Sequence, residues 1–447
     1  MAKQNYQAQQ KSVISFRWLG RLMCVSFFFT ILTTLLQREY KSRQSCNWSL
    51  QELPEYQPLY VNPIAEKIWL PTSEDIVKIP HGGLVLFSCP GGSLKIKKGV
   101  QEITLSCFKG KQYKDTDGTL YHFDELQCSG DHKHTVNSLG KETCGINNKA
   151  ELFAIGHVAG NHFYESYKSC FDCNTLDSIY VIHHLDHHVA WRQKKTEKPS
   201  KFIQDGNCYP QDLNIQKLYG VDRQKKNLKG KIKNAEEFCN VKATHYLSRD
   251  HLAPRGDFVY EAHQKLTYRF INVAPQWQKM NGAVWSALEE STRLLACDNK
   301  NDLLIITGTS GTARLPDCNG ELTEVYLAPQ KRLRAPEYFW KLVVDEKARL
   351  GIAFVALNIP FGENTPMGES VCEQIEWLKM PKKDINNKYP MSCYKVDATI
   401  ASIFPEVPTE QIKNFRGILK RPNSKLDLLC IFSDLKKIFL TIILIIL

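Results

Sequence analysis

The run Thr244-His-Tyr-Leu-Ser-Arg-Asp-His-Leu-Ala-Pro-Arg-Gly-Asp257, together with the next forty or so residues to about Ala296, leaves the chain few ways to fold. His245, Leu247, Arg249 and His251 alternate with their neighbours, the period of a strand, so Arg249 and His251 should share one face of it. A second strand-like run, Leu266 to Val273, comes next, and a loop containing Pro275 leads to a helix expected from Asn281 to about Ala296. On that helix Asn281, Trp285 and Glu289 stand at i, i+4 and i+8 and therefore share a face. Trp285 reads as core. Two strands and a helix would then bring an imidazole, a guanidinium, an amide and a carboxylate toward one another.

That set suits phosphodiester chemistry. A neutral His251 can take a proton from water near pH 7. Arg249 can grip a phosphate with two parallel hydrogen bonds and offset the charge of a phosphoryl transition state. Asn281 offers a neutral oxygen to a hard cation that keeps most of its own waters. Taken singly, each has a plainer reading: a structural histidine, a helix-capping Asn281, a solvated Glu289.

These residues resemble the DNA/RNA non-specific endonucleases of the ββα-metal (His-Me finger) class. The family's Asp-Arg-Gly-His motif stands here as Ser248-Arg249-Asp250-His251, and Asn272-Val-Ala-Pro-Gln276 through Asn281 to Trp285-Ser-Ala-Leu-Glu289 is similar in order and spacing. The resemblance implies an α+β fold with a central antiparallel sheet. It implies that His251 is the general base, Asn281 the direct protein ligand of Mg2+ (or Mn2+ in its place), and Arg249 the phosphate-binding group. Asn272 and Glu289 would support the water and ligand shell. DNA and RNA would both be substrates, with little sequence preference. Two departures stand out: Ser248 replaces the motif Asp and Asp250 its Gly, and a carboxylate beside the base would raise the histidine's pKa. They keep open a weakened nuclease that captures nucleic acid without cutting it. Further along, Pro336-Glu-Tyr-Phe-Trp-Lys341 and the run Gly351 to Leu357 also resemble family strands, so the likeness covers about residues 146 to 405.

Charge and cysteines bound the setting. The formal net charge is +11 and is unevenly placed: Arg192 to Lys233 holds twelve basic and four acidic residues, ending in Lys225, Lys226, Lys229, Lys231 and Lys233. That segment would lie along a phosphate backbone or form a solvated loop. Fifteen cysteines, spread along the chain, fit disulfides in an oxidising compartment better than metal sites. Cys170-Phe-Asp-Cys173 is the lone CxxC and carries little weight for redox or metal chemistry. The run His183-His-Leu-Asp-His-His188 would suit a transition metal, but alternation along a strand keeps one ion from collecting all four imidazoles.

The order of segments is set by composition. Residues 1–45 are basic and contain the apolar run Leu22 to Leu36, which reads as a signal peptide or a signal-anchor holding the chain to a membrane. Secretion, or exposure on the extracellular side of a membrane, is expected; a mitochondrial address of the endonuclease G type is the alternative. Asn47-Trp-Ser49 is a glycosylation sequon. Residues 46–145 read as a small β-rich, disulfide-bearing module, with short apolar runs broken by Gly82-Gly83, Pro90-Gly-Gly92 and Asp115-Thr-Asp-Gly118. Its Cys89-Pro-Gly91 is similar to a segment in secreted animal members. Residues 146–408 form the expected nuclease domain, and 409–447 a tail with an apolar end. Gly308-Thr-Ser-Gly311 reads as a hairpin turn. Oligomeric state is not readable.

Overall fold

The computed structural model describes residues 45–421 apart from 73, 195–199, 206–207, 234, 236–244, 360–369, 380–390, 414 and 416. The expected apolar runs near both ends lie outside these residues. No helix among the described residues is long and apolar enough to cross a membrane.

A nine-stranded sheet organises the larger part of the molecule. Its order is Met391–Tyr394, Leu350–Leu357, Tyr338–Asp345, Leu303–Ser310, Asp177–Leu185, His162–Asp172, Ala150–Ala159 and Thr135–Cys144, all antiparallel. Gly417–Ile418 adds to Leu350–Leu357 in parallel. The central strands carry β-branched and aromatic residues on both faces, so both faces must be covered. Ile305, Phe339, Val343, Ile352 and Phe354 pack into one core with the strand, helix and loops of residues 247–296. Their neighbours Leu304, Ile306, Trp340, Leu342 and Val355 pack into a second core with Ile400, Phe404 and Val407. Helices and sheet are thus stacked in layers, the α+β arrangement expected.

Gly308 to Ser310 is strand and not the turn that two glycines suggested. A Cβ on Gly308 would sit 2.2 Å from the ring of Trp340, so glycine is there to admit an indole.

The N-terminal module is a six-stranded sheet with a separate pair, Cys46–Ser49 against Ile76–Ile79. Trp48, Tyr60, Phe87, Tyr113 and Phe123 fill it, and disulfides Cys46–Cys107 and Cys89–Cys128 cross-link it. The expected boundary near residue 145 shifts: Thr135–Cys144 pairs with Ala150–Ala159 and belongs to the large sheet. The alternating residues of that strand satisfy an edge of the large sheet instead of closing the module. Tyr260 joins the two parts, packing into the module's aromatic core and donating its hydroxyl to the carbonyl of Trp69 at 2.5 Å.

The CxxC pair is split between two disulfides, Cys144–Cys170 and Cys173–Cys208, and a further bridge joins Cys372 and Cys393. Cys318 is an exposed free thiol. Asn47 is exposed while Trp48 beside it is buried, as alternation on an edge strand requires.

Where the module meets the large sheet, four histidines crowd together. His157 is fully buried, and the rings of His132, His134 and His263 lie 5.3, 5.4 and 5.4 Å from it, nearly perpendicular. Neither nitrogen of His157 has a hydrogen-bond partner among the described residues. Burial pushes His132 down to about 4 and His263, helped by the charge of His132, down to about 4. Burial and then Arg269 bring His134 to about 3. A depressed histidine adds no instability above its unfolded value of about 6.5, but below that the unfolded chain takes up the proton first. Stability is therefore lost as pH falls from 6.5 toward 4. Between pH 7 and pH 5 each of His132 and His263 should cost roughly 2 kcal/mol. Replacing His263 by Asn should shift the difference from wild type in the variant's favour by about that amount, measured by urea denaturation at the two pH values; an unchanged difference would contradict the burial.

Candidate active site

The first expected strand is present as Leu247–His251. The second starts later than expected. Residues expected to extend it instead form the end of the helix Glu261–Leu266 and a single turn, Phe270–Asn272, and the strand is Val273–Trp277. Its register opposes Arg249 to Pro275, Asp250 to Ala274 and His251 to Val273. Pro275, expected in a loop, lies in the strand, which an isolated two-stranded pair permits because not every N–H is needed for pairing.

Asn272 explains the delayed start. It is completely buried: its Oδ1 accepts from the Ala253 N–H, and its Nδ2 donates to the carbonyls of Ala253 and Thr267. The main-chain carbonyl of Asn272 accepts from Leu252. The side chain expected near the ligand shell is thus spent on backbone, and it fixes the turn after His251. Asn358 anchors the other strand, accepting from the N–H of Trp277 and donating to the carbonyls of Pro275 and Pro336.

The helix is present, with a local change of pitch. Gln278–Met280 is α, Asn281–Trp285 a π-turn and Ser286–Asn299 α. Such insertions often accompany functional sites, and the wider turn moves Asn281 off the straight register that i, i+4, i+8 spacing assumes. Trp285 is fully buried, as expected of core.

Alternation along Leu247–His251 divides the candidate residues between two sides. On one side, the Arg249 guanidinium lies 4.9 Å from the ring of Phe202 and 5.7 Å from that of Tyr219. The His251 ring lies 5.2 Å from both Phe202 and Tyr268. Phe202 therefore contacts both the guanidinium and the imidazole. The Nε2 of His251 is buried with no hydrogen-bond partner among the described residues. Burial, then the charges of Arg249 and Arg255, push its pKa down to about 4.

Ser248 links the strand to the helix: the Nδ2 of Asn281 donates to Ser248 Oγ at 3.3 Å, and Ser248 Oγ donates to the carbonyl of Gln276 at 3.0 Å. The serine in place of the motif Asp thus pins the amide by its nitrogen, which leaves the Asn281 oxygen as the end offered to a ligand. Asp250 points away from the aromatic cover of His251, toward Glu289 and Lys341. It is 2 % exposed, and burial followed by the charge of Glu289 raises its pKa well above the carboxylate range, against the pull of Lys341. Burial pushes Glu289 up to about 7, although Arg293 and Lys341 oppose it. The expectation that Asp250 would charge the base is therefore corrected: His251 is depressed, and the proton sits on the Asp250–Glu289 pair.

Sequence reasoning passed over the groups that hold Glu289. Arg293, four residues on, lies 3.9 Å from it and donates to Asp257 Oδ1 at 2.8 Å. Lys341, 1 % exposed, donates to Thr307 Oγ1 at 2.6 Å and lies 5.6 Å from the Trp285 ring. The i, i+4 spacing of Glu289 and Arg293 was one available signal and the family-like run ending at Lys341 another, though neither gives a partner; nothing local announced Phe202. Of the basic segment, Lys226, Lys229, Lys231 and Lys233 are exposed. A cleft of about 400 Å3 bordered by Glu165, Lys168, His184, Asp186 and Tyr260 is open elsewhere on the surface and is lined by none of Arg249, His251 or Asn281.

A strand, a second strand and a helix in this register form the ββα frame expected of the fold, and among the described residues no hydrogen bond or ion pair joins His251 to Asn281 across it. The family model for DNA/RNA non-specific endonucleases matches residues 148–400, and the chain belongs to that family. A salivary endonuclease of Lutzomyia longipalpis is 28% identical over 338 residues, 74% of this chain and 76% of that protein. The salivary protein Tsal2A of Glossina morsitans morsitans is 26% identical over 305 residues, covering 68% of this chain and 75% of its own. Among solved structures, a chain of the EndoG/EndoGI complex aligns with a TM-score of 0.31 and 18% identity over 51% of this chain and 82% of that one, a likeness too slight to argue from.

The raised carboxyl pair has a measurable consequence. A carboxyl whose folded pKa exceeds its unfolded value costs stability as pH rises from the unfolded value through the folded one. Asp250→Asn should therefore gain stability relative to wild type as pH is raised from 5 to 8, read as a growing difference in denaturation midpoint. A constant difference would show Asp250 ionised throughout.

Proposed function

We propose that the chain is a secreted, metal-dependent endonuclease that hydrolyses phosphodiester bonds in DNA and RNA with little sequence preference. Family membership supports nuclease activity, and the relatives named as salivary endonucleases support both nuclease activity and secretion. The disulfides and the exposed Asn47 sequon fit the secretory route better than the mitochondrial alternative. The observation that carries the chemistry is the buried, unpartnered Nε2 of His251, a costly arrangement of the kind that clusters at functional sites.

The donor set tests the metal. The Asn281 oxygen is a neutral hard donor left free by the bond from its own Nδ2 to Ser248, which fits a cation that binds through one protein oxygen and keeps its waters. Glu289 lies two turns along the same helix, where its carboxylate would order those waters once deprotonated. Mg2+, or Mn2+ in its place, would neutralise charge on the phosphate when bound. The remaining work falls to the chain. His251 is depressed to about 4 and so is neutral at pH 7, with a lone pair on Nε2 to accept a proton from the attacking water. Arg249 presents a guanidinium to the phosphate, backed by Tyr219. Asn272 holds the turn after His251 and makes no contact with substrate in this reading. The exposed lysines from Lys226 to Lys233 supply a salt-sensitive, sequence-independent term in binding.

The position of Phe202 favours a second reading, a nuclease-derived protein that holds nucleic acid and cuts it slowly. Substrate phosphate must reach Arg249 and His251 past that ring. A plasmid-nicking assay with and without EDTA separates the two. Rapid, EDTA-sensitive nicking is expected; binding without nicking would establish the second reading. His251→Ala should lower cleavage by about 100-fold or more while binding is kept. Because His251 is already deprotonated well below neutrality and Glu289 titrates at about 7, a fall in rate between pH 7.5 and pH 5.5 should come from the carboxyl: it should vanish in Glu289→Gln, whereas a base with the usual pKa of about 6.5 would keep the fall in that variant.

A further inference from the structure

Outside the nuclease hairpin, the turn Asp186-His187-His188 has a geometry that its sequence alone does not disclose. The turn comes after the strand Asp177–Leu185 and opens a short 3-10 helix, His187–Trp191, capped by Asp186. Asp302, just before the strand Leu303–Ser310, is brought beside it by the pairing of those two strands. Each imidazole is then held by a carboxylate in the same way. Asp302 Oδ1 accepts from the backbone N–H of His187 at 3.1 Å and bonds its Nδ1 at 2.7 Å. Asp186 Oδ1 accepts from the N–H of His188 at 2.8 Å and bonds its Nδ1 at 2.7 Å.

A carboxylate can only accept, so in both rings the proton of a neutral imidazole sits on Nδ1 and the lone pair on Nε2. Gripping N–H and Nδ1 of the same residue with one oxygen also fixes the ring's rotamer. The two rings lie 3.9 Å apart with their planes inclined by 39°. One nitrogen of each imidazole and one oxygen of Asp186 lie within 4.8 Å of one another, so the two rings and the carboxylate that orients one of them form a single compact cluster. The side chains of His187 and His188 are 31% and 20% exposed, enough for an ion to reach them.

We infer that His187 and His188, oriented by Asp302 and Asp186, form a surface site for a borderline transition-metal dication such as Zn2+, separate from the nuclease centre. Imidazole nitrogens backed by carboxylates suit Zn2+, Cu2+ or Ni2+ and not the oxygen-seeking Mg2+, so the two sites select different ions. His183 and His184 from the same histidine-rich run are not part of it. His183 is buried against Asp257, and His184 projects from the other face of the strand toward Glu346, 3.9 Å away. The bonds from Asp302 to His187 already tie the end of one central strand to the start of its neighbour, which holds the site to the sheet.

The test uses the full disulfide-bonded chain, with Cys318→Ser as background to remove the exposed thiol. Zn2+ is titrated in millimolar Mg2+ and followed by calorimetry and by the thermal midpoint. One saturable Zn2+ per chain and a rise in midpoint are expected. Both should vanish in His187→Ala/His188→Ala, and Asp302→Asn should weaken binding by about 10- to 100-fold. His251→Ala should bind Zn2+ as the parent does, and the double variant should retain its metal-dependent cleavage; the two sites then fail or stand independently. Circular dichroism of the double variant without zinc establishes that it is folded. Zinc binding that survives in the folded double variant, or the lack of saturable binding in the parent, would overturn the assignment.

Discussion

One buried carboxylate, Asp257, ties together the parts that position the site. It is 4 % exposed, its Oδ1 takes a bond from Arg293 on the helix and its Oδ2 faces His183 Nε2 on the central sheet at 2.9 Å. Burial alone would raise its pKa, but the hydrogen bond from His183 and the charge of Arg293 hold it well below the usual range. Removing one member of such a set strands the others as unpaired buried charge, which costs several kcal/mol. The helix that carries Asn281 and Glu289 is thereby fixed to the sheet and to the loop just beyond His251. Packing of Leu288, Leu295 and Trp285 supplies the bulk of the attachment, and the ionic contacts fix its register.

With the helix fixed, the strand Leu247–His251 acts as a partition. Its period of two sends Arg249 and His251 toward an aromatic cover, and Ser248 and Asp250 toward the helix. The partition accounts for two opposite electrostatic outcomes within three residues. His251 meets apolar rings and two guanidinium groups, and each of these favours the neutral base. Asp250 meets a second carboxyl in the same low-dielectric layer, so the pair keeps a proton. A one-residue change of register would exchange these environments, and the pairing to Val273–Trp277 prevents it.

Much of this is legible in the sequence, and the failures have physical causes. The strands Tyr338–Asp345 and Leu350–Leu357 are readable because strands covered on both faces demand largely apolar runs. The second hairpin strand is misplaced by its sequence because Leu266 to Asn272 also alternates, and a tertiary demand, the clamp of Asn272 on Ala253 and Thr267, decides against it. Gly308 misleads because a glycine needed for indole packing looks, in one dimension, like a turn glycine. Asp250 stands out in the sequence but is paired there with the wrong neighbour, since its position next to His251 says nothing about which side of the strand it faces. Lys341 ends a run that resembles a family strand, but nothing in that run says which carboxyls it meets, and Phe202 carries no local signal; both arrive from far along the chain.

Asp250 also shows how a family motif can change without changing its fold. Glycine at that position would leave the helix face opposite it to Glu289 alone, without a second carboxyl to oppose its ionisation. A carboxyl there competes with Glu289 for Lys341, and the burial that strengthens its field on Glu289 also penalises ionising both. The attraction of Lys341 limits the damage, since it can serve whichever carboxyl is charged. Glu289 is consequently poised near neutrality and not far below it, and under the proposed function its readiness to support a metal would be a function of pH. Sensitivity of the site to acidity then resides in the carboxyl behind the strand and not in the imidazole in front of it.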